Sequence, residues 1–235
     1  MTESLRRRTA LQAGGGAALL FWLPGLRAQP QSTAERPGWP AWEAFKAQFI
    51  NEGGRVISDD AGGGQTYSEG QAYALFFALV ANDRTTFDKL LRWTENNLCD
   101  GDMTARLPAW LWGKRPDGTW GVIDSNAASD ADLWIAYALG EAGRLWNVRT
   151  YRALSALLAA RILREETAQL PGLGLTLLPA PQGFAQKDGR WRLNPSYMPM
   201  HLMHWLAAED PQPEWKQLVD LSLIHISEPT RPLYI

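Results

Sequence analysis

The sequence predicts an all-α fold in which successive helices are joined by long loops rich in glycine and proline. Apolar residues recur every three or four positions over most of residues 39–220, which is the spacing of one helical face. No stretch sustains the alternation of apolar and polar residues that is typical of a half-buried strand, and no internal repeat is visible. The pattern therefore fits a helical array or toroid, whose loops gather into a cleft at one end of the layer.

Apolar stripes define the first three helices. The first helix has Trp42, Phe45 and Phe49 on one face, and the second spans about residues 69–81. The third helix presents one apolar stripe, formed by Phe87, Leu90, Leu91, Thr94 and Leu98.

Four further helices complete the prediction. The fourth spans about residues 130–146, the sixth lies between residues 200 and 207, and a seventh begins in residues 213–219. The fifth follows Tyr151 and is expected to direct four apolar side chains inward, namely Leu154, Leu157, Leu158 and Ile162. Long loops at residues 107–126 and 171–199 separate these helices, and both are compatible with short strands, near Val122 and Leu177. Long loops within a compact domain are usually functional.

Composition narrows the class of ligand. The chain has 23 basic and 25 acidic residues and a net charge of -2, which excludes the strong positive field that nucleic acids and anionic membranes require. It also has 12 tryptophans, more than packing usually needs. Aromatic faces are platforms for flat, weakly polar ligands such as sugar rings, although core packing has to account for most of them.

The amino-terminal residues 1–28 are interpreted as a signal peptide of the twin-arginine type. Arg6, Arg7 and Arg8 precede an apolar, glycine-rich run at residues 11–23, and cleavage is expected after Ala28. The run is too short to span a bilayer, so no stable membrane insertion is expected, although a retained anchor is the alternative. The expected location is periplasmic or secreted. Cys99 is the single cysteine, which excludes an internal disulfide.

The carboxyl-terminal residues 221–235 break the preceding pattern and are interpreted as a non-native tail. Residues 221–231, LSLIHISEPTR, resemble the translation of a transposon-end sequencing adapter. Native protein is therefore expected to stop near Asp220, with a carboxyl-terminal portion of the natural chain lost.

Acidic residues stand at two predicted helix starts beside aromatic loops. Glu69 follows Thr66 by three residues, and Asp132 follows Ser129 by the same interval. Asp130 lies between Ser129 and Asp132. Both patterns match a capping box, in which a hydroxyl and an acid satisfy free backbone N–H groups. They fit equally well a pair of carboxyls that face each other across a sugar-sized cleft.

Metal chemistry is weakly supported. Asp130 and Asp132 could hold Mg²⁺, but there is neither a second acidic cluster nor a basic surface for phosphate. His201 and His204 have a spacing that can bind zinc, but no third ligand is apparent. The sequence therefore predicts no metal and no cofactor.

Residues 128–146, which begin ASDADLWIAYAL, resemble the signature of glycoside hydrolase family 8 over nineteen positions. Residues 68–73 (SEGQAY), 106–113 (RLPAWLWG) and 194–197 (NPSY) support the likeness, which covers about residues 39–220. Within the family the chain is most similar to periplasmic cellulases that accompany bacterial cellulose synthase, which implies a functional link to that complex.

The resemblance implies an (α/α)6 barrel with an open cleft, in which a β-1,4-glucan is hydrolysed with inversion and without metal. By motif, Glu69 is the proton donor and Asp130 grips and distorts the sugar at the cleavage point. Trp112 and Tyr197 would line the cleft, with Trp110 as a weaker candidate. A helix amino terminus lowers the pKa of a carboxyl group, so burial and a neighbouring carboxylate have to outweigh that effect if Glu69 is the acid.

The family's water-activating aspartate, in a Ser-Tyr-Asp-Ala-like motif, does not occur in this sequence. The resemblance therefore implies an incomplete barrel, and a fragment with little activity from a gene whose intact product hydrolyses cellulose. Two alternatives stay open: a non-catalytic glucan-binding helical module, and a hydrolase of a related glycan such as chitosan or xylan.

Overall fold

The structure is a computed structural model that describes residues 38–58, 64–186 and 188–227. The predicted signal peptide, and the predicted tail beyond Ser227, lie outside the described residues. Seven α-helices are described: α1 (Pro40–Phe49), α2 (Ser68–Val80), α3 (Arg84–Leu98), α4 (Ser129–Leu145), α5 (Arg149–Glu165), α6 (Met200–Glu209) and α7 (Pro213–Ser227). Five short strands accompany them: β1 (Thr66–Tyr67), β2 (Leu111–Lys114), β3 (Trp120–Asp124), β4 (Thr167–Leu170) and β5 (Gly174–Leu177).

Three helical hairpins form the body of the fold. Helix α2 packs on α3, α4 packs on α5, and α6 packs on α7. The first helices of the hairpins are neighbours, because α4 lies against both α2 and α6. Helix α1 covers one side of α2, where Trp39 and Phe45 contact the ring of Phe77. The prediction of a helical array is confirmed.

The predicted apolar stripe of α3 is confirmed, since all five of its residues are buried. The prediction for α5 is wrong in one position: Leu158 and Ile162 are buried and Leu154 is partly buried, but Leu157 is 50% exposed. The buried face of α5 is shifted towards Ser155, whose hydroxyl donates a hydrogen bond of 2.7 Å to the carbonyl of Ala136 on α4. A small polar residue with a satisfied hydroxyl can therefore take the contact that an apolar pattern assigns to leucine.

The two long loops contain strands where the sequence allowed them, at Val122 and Leu177. Strands β1, β2 and β3 form a three-stranded antiparallel sheet in that order, and β4 pairs with β5 as a hairpin. The pairing of β2 with β3 carries a register shift between Leu111 and Trp112. Such a bulge breaks the alternation of side chains between the two faces of a strand.

None of the described helices combines the length and the hydropathy that crossing a bilayer requires.

Candidate active site

Glu69 lies in the first turn of α2, directly after strand β1. The helix begins at Ser68 and its amino-terminal cap, Tyr67, makes no side-chain capping bond. Thr66 does not cap it, because its hydroxyl donates to the carbonyl of Val56 at 2.6 Å and accepts from Arg55 Nε at 2.8 Å. The capping-box interpretation of this segment is therefore wrong, and the Glu69 carboxyl group is left free for another role.

Burial raises the pKa of the Glu69 carboxyl group, and the charge of Asp130 adds to the rise. A backbone hydrogen bond at the helix start and the hydroxyl of Ser68, which donates to Glu69 Oε2 at 3.2 Å, act in the opposite direction. The net shift is upward, so burial outweighs the helix terminus. An upward shift of the pKa is the direction that a general acid needs.

Asp130 occupies the corresponding place in α4, one residue after the start of that helix. The cap residue, Ala128, makes no side-chain bond, and Ser129 Oγ has no hydrogen-bond partner among the described residues, so the second capping box is also wrong. Burial raises the pKa of Asp130 against the lowering effect of backbone N–H groups. Its buried Oδ1 has no hydrogen-bond partner in the described part of the chain, whereas the residue as a whole is only partly buried.

Two tyrosines stand close to both acids. Burial raises the pKa of the phenols of Tyr73 and Tyr197, and the charges of Asp130 and Glu69 raise them further. Tyr197 was predicted from its motif, whereas Tyr73 was not. Tyr73 lies one helical turn after Glu69 on α2, so the spacing of four residues that places both side chains on one face was the signal that could have found it.

Glu69, Trp110 and Tyr197 line one cavity of about 320 Å³, together with Asn126 and Phe184. Glu69 and Trp110 also border a larger, mainly apolar groove of about 680 Å³, to which Tyr73 contributes. The structure therefore brings Trp110 and Tyr197 together with the candidate acid, in a concave and largely aromatic setting that is typical of ligand sites.

Trp112 lies in a different concavity, of about 780 Å³, which Glu69 does not line. Its ring stacks with Trp120 at a centroid distance of 5.3 Å, meets the edge of Trp93, and lies 4.3 Å from the guanidinium of Arg55. Trp110 and Trp112 therefore border different concavities, although they are only two residues apart in sequence.

The two histidines considered as zinc ligands lie in different settings. His201 packs against Trp134 at a centroid distance of 5.3 Å, and His204 is exposed. Within residues 38–58, 64–186 and 188–227, no group of three or more histidine, cysteine, aspartate or glutamate side chains is arranged to hold a metal ion.

Comparison with known proteins assigns the chain to a family. The sequence profile of "Glycosyl hydrolases family 8" matches residues 27–232. The chain belongs to glycosyl hydrolases family 8. An endoglucanase of Escherichia coli O157:H7 is 53% identical over 169 residues, which cover 72% of this chain and 46% of that protein. An endoglucanase of Pseudomonas fluorescens SBW25 is 47% identical over 187 residues, covering 80% of this chain and 47% of the relative.

Solved family 8 structures agree with the fold. The endo-1,4-D-glucanase of Vibrio fischeri ES114 superposes with a TM-score of 0.77 at 52% identity, over 81% of this chain and 55% of that one. The endo-beta-1,4-glucanase CMCax of Acetobacter xylinum superposes with a TM-score of 0.71 at 30% identity, over 79% and 56% of the two chains. The three hairpins of this family 8 chain are part of the (α/α)6 barrel that these relatives form. The chain spans about half the length of the curated relatives it matches.

Proposed function

We propose that the whole protein is an endo-β-1,4-glucanase that cleaves β-1,4-glucan with inversion. The observation that carries the proposal is the pair of carboxyl groups, Glu69 and Asp130, held at the starts of two neighbouring helices with raised pKa values and aromatic neighbours. Relatives at 47% and 53% identity that carry the name endoglucanase support this choice of substrate.

Glu69 is the proposed general acid. Inverting glycosidases need a carboxylic acid that protonates the leaving oxygen and a carboxylate that activates water on the other face of the sugar. Burial raises the pKa of Glu69, which is the direction that suits a carboxyl group to the first of these tasks.

Asp130 is the proposed group that grips and distorts the sugar at the cleavage point. The residue is only partly buried, so the exposed part of its carboxyl group can accept a hydrogen bond from a sugar hydroxyl. Trp110 and Tyr197, which border the same cavity as Glu69, are the proposed aromatic contacts for the sugar rings. Trp112 would contact a glucan only where the chain extends into the neighbouring concavity.

The water-activating carboxylate is proposed to come from a part of the whole protein that these 235 residues do not contain, because its motif does not occur in the sequence. The two carboxyls of an inverting pair stand about 6.5 to 9.5 Å apart with water between them, so a chain without the second has no means of activating it. We therefore expect the 235-residue chain to turn over cellulose very slowly, if at all.

Export to the periplasm and a functional link to a cellulose synthase complex complete the proposal. The arginines and apolar run of residues 1–28 support export. A hydrolase in that compartment would act on glucan as it leaves the synthase. Fractionation of cells that make the whole protein tests this part, and a cytoplasmic, uncleaved product would contradict it.

The activity itself is tested on carboxymethylcellulose with the whole protein. We expect a rapid fall in viscosity, which is the mark of internal cleavage, and α-configured new reducing ends in the first NMR spectra of cello-oligosaccharide digests. Binding of the oligosaccharide without any cleavage would instead show a glucan-binding module and refute the proposal. Cleavage of chitosan or xylan in preference to cellulose would refute the choice of substrate.

A further inference from the structure

Two acidic side chains outside the proposed catalytic set lie in the interior beside it. Asp132 is in the first turn of α4, two residues after Asp130, and Glu166 is the cap residue that follows α5 and precedes β4. Both are fully buried, with 0% of their surface exposed. Buried acids of this kind are rare unless they are paired or hydrogen-bonded.

The oxygen atoms of this carboxyl pair receive no hydrogen bond from the described residues. All four, Oδ1 and Oδ2 of Asp132 and Oε1 and Oε2 of Glu166, are buried without a donor. The two groups lie within hydrogen-bonding reach of each other. Ionised carboxylates can only accept hydrogen bonds, so a bond between the two groups requires that one of them carry a proton.

Electrostatics favours the same arrangement. Two adjacent carboxylates in the interior would combine the cost of burying two charges with like-charge repulsion, and a single shared proton removes the repulsion and one of the two buried charges. The titratable groups that face the pair from its neighbouring elements are also acidic: Asp130 on α4, Glu69 on α2, Glu165 on α5, and the thiol of Cys99 after α3. Burial and these neighbours raise the pKa of both members.

We propose that Asp132 and Glu166 share one proton at neutral pH, and that the resulting hydrogen bond ties the start of α4 to the junction of α5 and β4. The tie fixes the first turn of α4, which carries Asp130. The pair is thus a positioning device for the candidate site, and this last step rests on the proposed function. The shared proton does not rest on it.

The shared proton is tested on the folded 235-residue chain by carboxyl ¹³C NMR with labelled aspartate and glutamate. The resonances of the pair are assigned by their loss in Glu166→Gln and Asp132→Asn. We expect at least one of them to keep the chemical shift of a protonated acid at pH 7 and to change only above that pH. Ionised shifts at pH 7 for every aspartate and glutamate carboxyl of the wild-type chain would overturn the proposal, and that result needs no assignment, so neither variant has to fold.

The energetic consequence is tested by urea unfolding as a function of pH. The pKa of the pair is raised in the folded state, so its contribution to stability is complete below the ordinary carboxyl pKa and is lost as pH rises. One retained proton corresponds to roughly a tenfold rise in the unfolding constant per pH unit. We expect Glu166→Gln to remove this slope, and Glu165→Gln, its partly exposed neighbour that pairs with Arg161 and Arg164, to keep it. Equal slopes in wild type and Glu166→Gln would contradict the shared proton.

The positioning role is tested with the whole protein. The side chain introduced by Glu166→Gln can still donate a hydrogen bond to Asp132, whereas that of Glu166→Leu cannot. We therefore expect Glu166→Leu to lower kcat at least about tenfold with little change in KM, and Glu166→Gln to keep most of the wild-type kcat. Equal turnover of the two variants would refute positioning. If the whole protein hydrolysed no glucan, the proposed function would be refuted. The NMR experiment would still decide whether the pair shares a proton.

Discussion

Gln71 holds the segment that carries Glu69, and replacing it should destabilise the fold strongly. Its side chain is fully buried on α2, two residues after Glu69. The carbonyl oxygen accepts from the backbone N–H of Val56 at 2.6 Å, and the amide donates to Thr94 Oγ1 at 2.9 Å and to the carbonyl of Gly54 at 3.2 Å. One amide therefore links the 54–56 segment, α2 and α3.

The change Gln71→Leu nearly keeps the volume and removes these three bonds, together with a longer one of 3.4 Å from the amide to the carbonyl of Leu90. The Val56 N–H group becomes a buried donor without an acceptor, which costs about 1–3 kcal/mol. The two lost amide bonds add about 0.5–1.5 kcal/mol each, so the total is about 2–6 kcal/mol, a large share of the stability of an ordinary domain.

Urea unfolding at pH 7 followed by circular dichroism measures this loss. The matched control is Gln48→Leu, because Gln48 is exposed on α1 and its replacement should change stability by less than about 0.5 kcal/mol. If Gln71→Leu lost no more stability than Gln48→Leu, the network would not hold the segment, and the reasoning would be refuted.

Three further changes have defined outcomes. Asp83→Ala removes the cap of α3 and the partner of Lys46, and should lower the free energy of unfolding by about 1–2 kcal/mol in urea at pH 7. Because the pKa of Asp83 is lowered to about 2, the difference from wild type should be complete above about pH 4 and shrink as pH falls towards 2. A difference that does not depend on pH would contradict this. Gly54→Ala should lower the free energy of unfolding by about 3 kcal/mol or more in the same assay, since φ is +91° and a Cβ atom would lie 2.4 Å from the backbone of Lys89. An unchanged urea midpoint would contradict this close approach. Trp110→Ala in the whole protein should weaken cello-oligosaccharide binding in calorimetry by about 1–3 kcal/mol, and unchanged affinity would place the sugar elsewhere.

The helices were predictable because their pattern is local. The stripe of α3 and the hairpin partners α4 and α5 follow from a spacing of three and four residues, which burial against a neighbouring helix imposes. Leu157 was misplaced because the buried face of α5 is centred on Ser155, and only the position of the Ala136 carbonyl explains how a serine fits there.

The places of Glu69 and Asp130 at two helix starts were predictable, and their surroundings were less so. A capping box and a catalytic acid look the same in sequence, and the tertiary contacts of Thr66 with Val56 and Arg55 decide between them. Trp112 borders a different concavity from Trp110, and only its tertiary contacts with Trp93, Trp120 and Arg55 show this.

The Asp132–Glu166 pair was beyond the reach of sequence reasoning. Its members are separated by most of α4 and α5, and only the folded hairpin brings them together. Glu166 stands in no motif, so nothing in its local sequence distinguished it from an exposed helix-end glutamate.

The central claim, that Glu69 is the acid of a glucan hydrolase, is tested most directly by Glu69→Gln in the whole protein. General acid catalysis contributes about 10²–10⁴-fold, so we expect kcat on carboxymethylcellulose to fall by at least about a hundredfold while cello-oligosaccharide binding persists. The control Glu43→Gln, at an exposed position of α1, should retain wild-type turnover. Turnover of Glu69→Gln close to that of the wild type, with the same pH profile, would contradict the assignment.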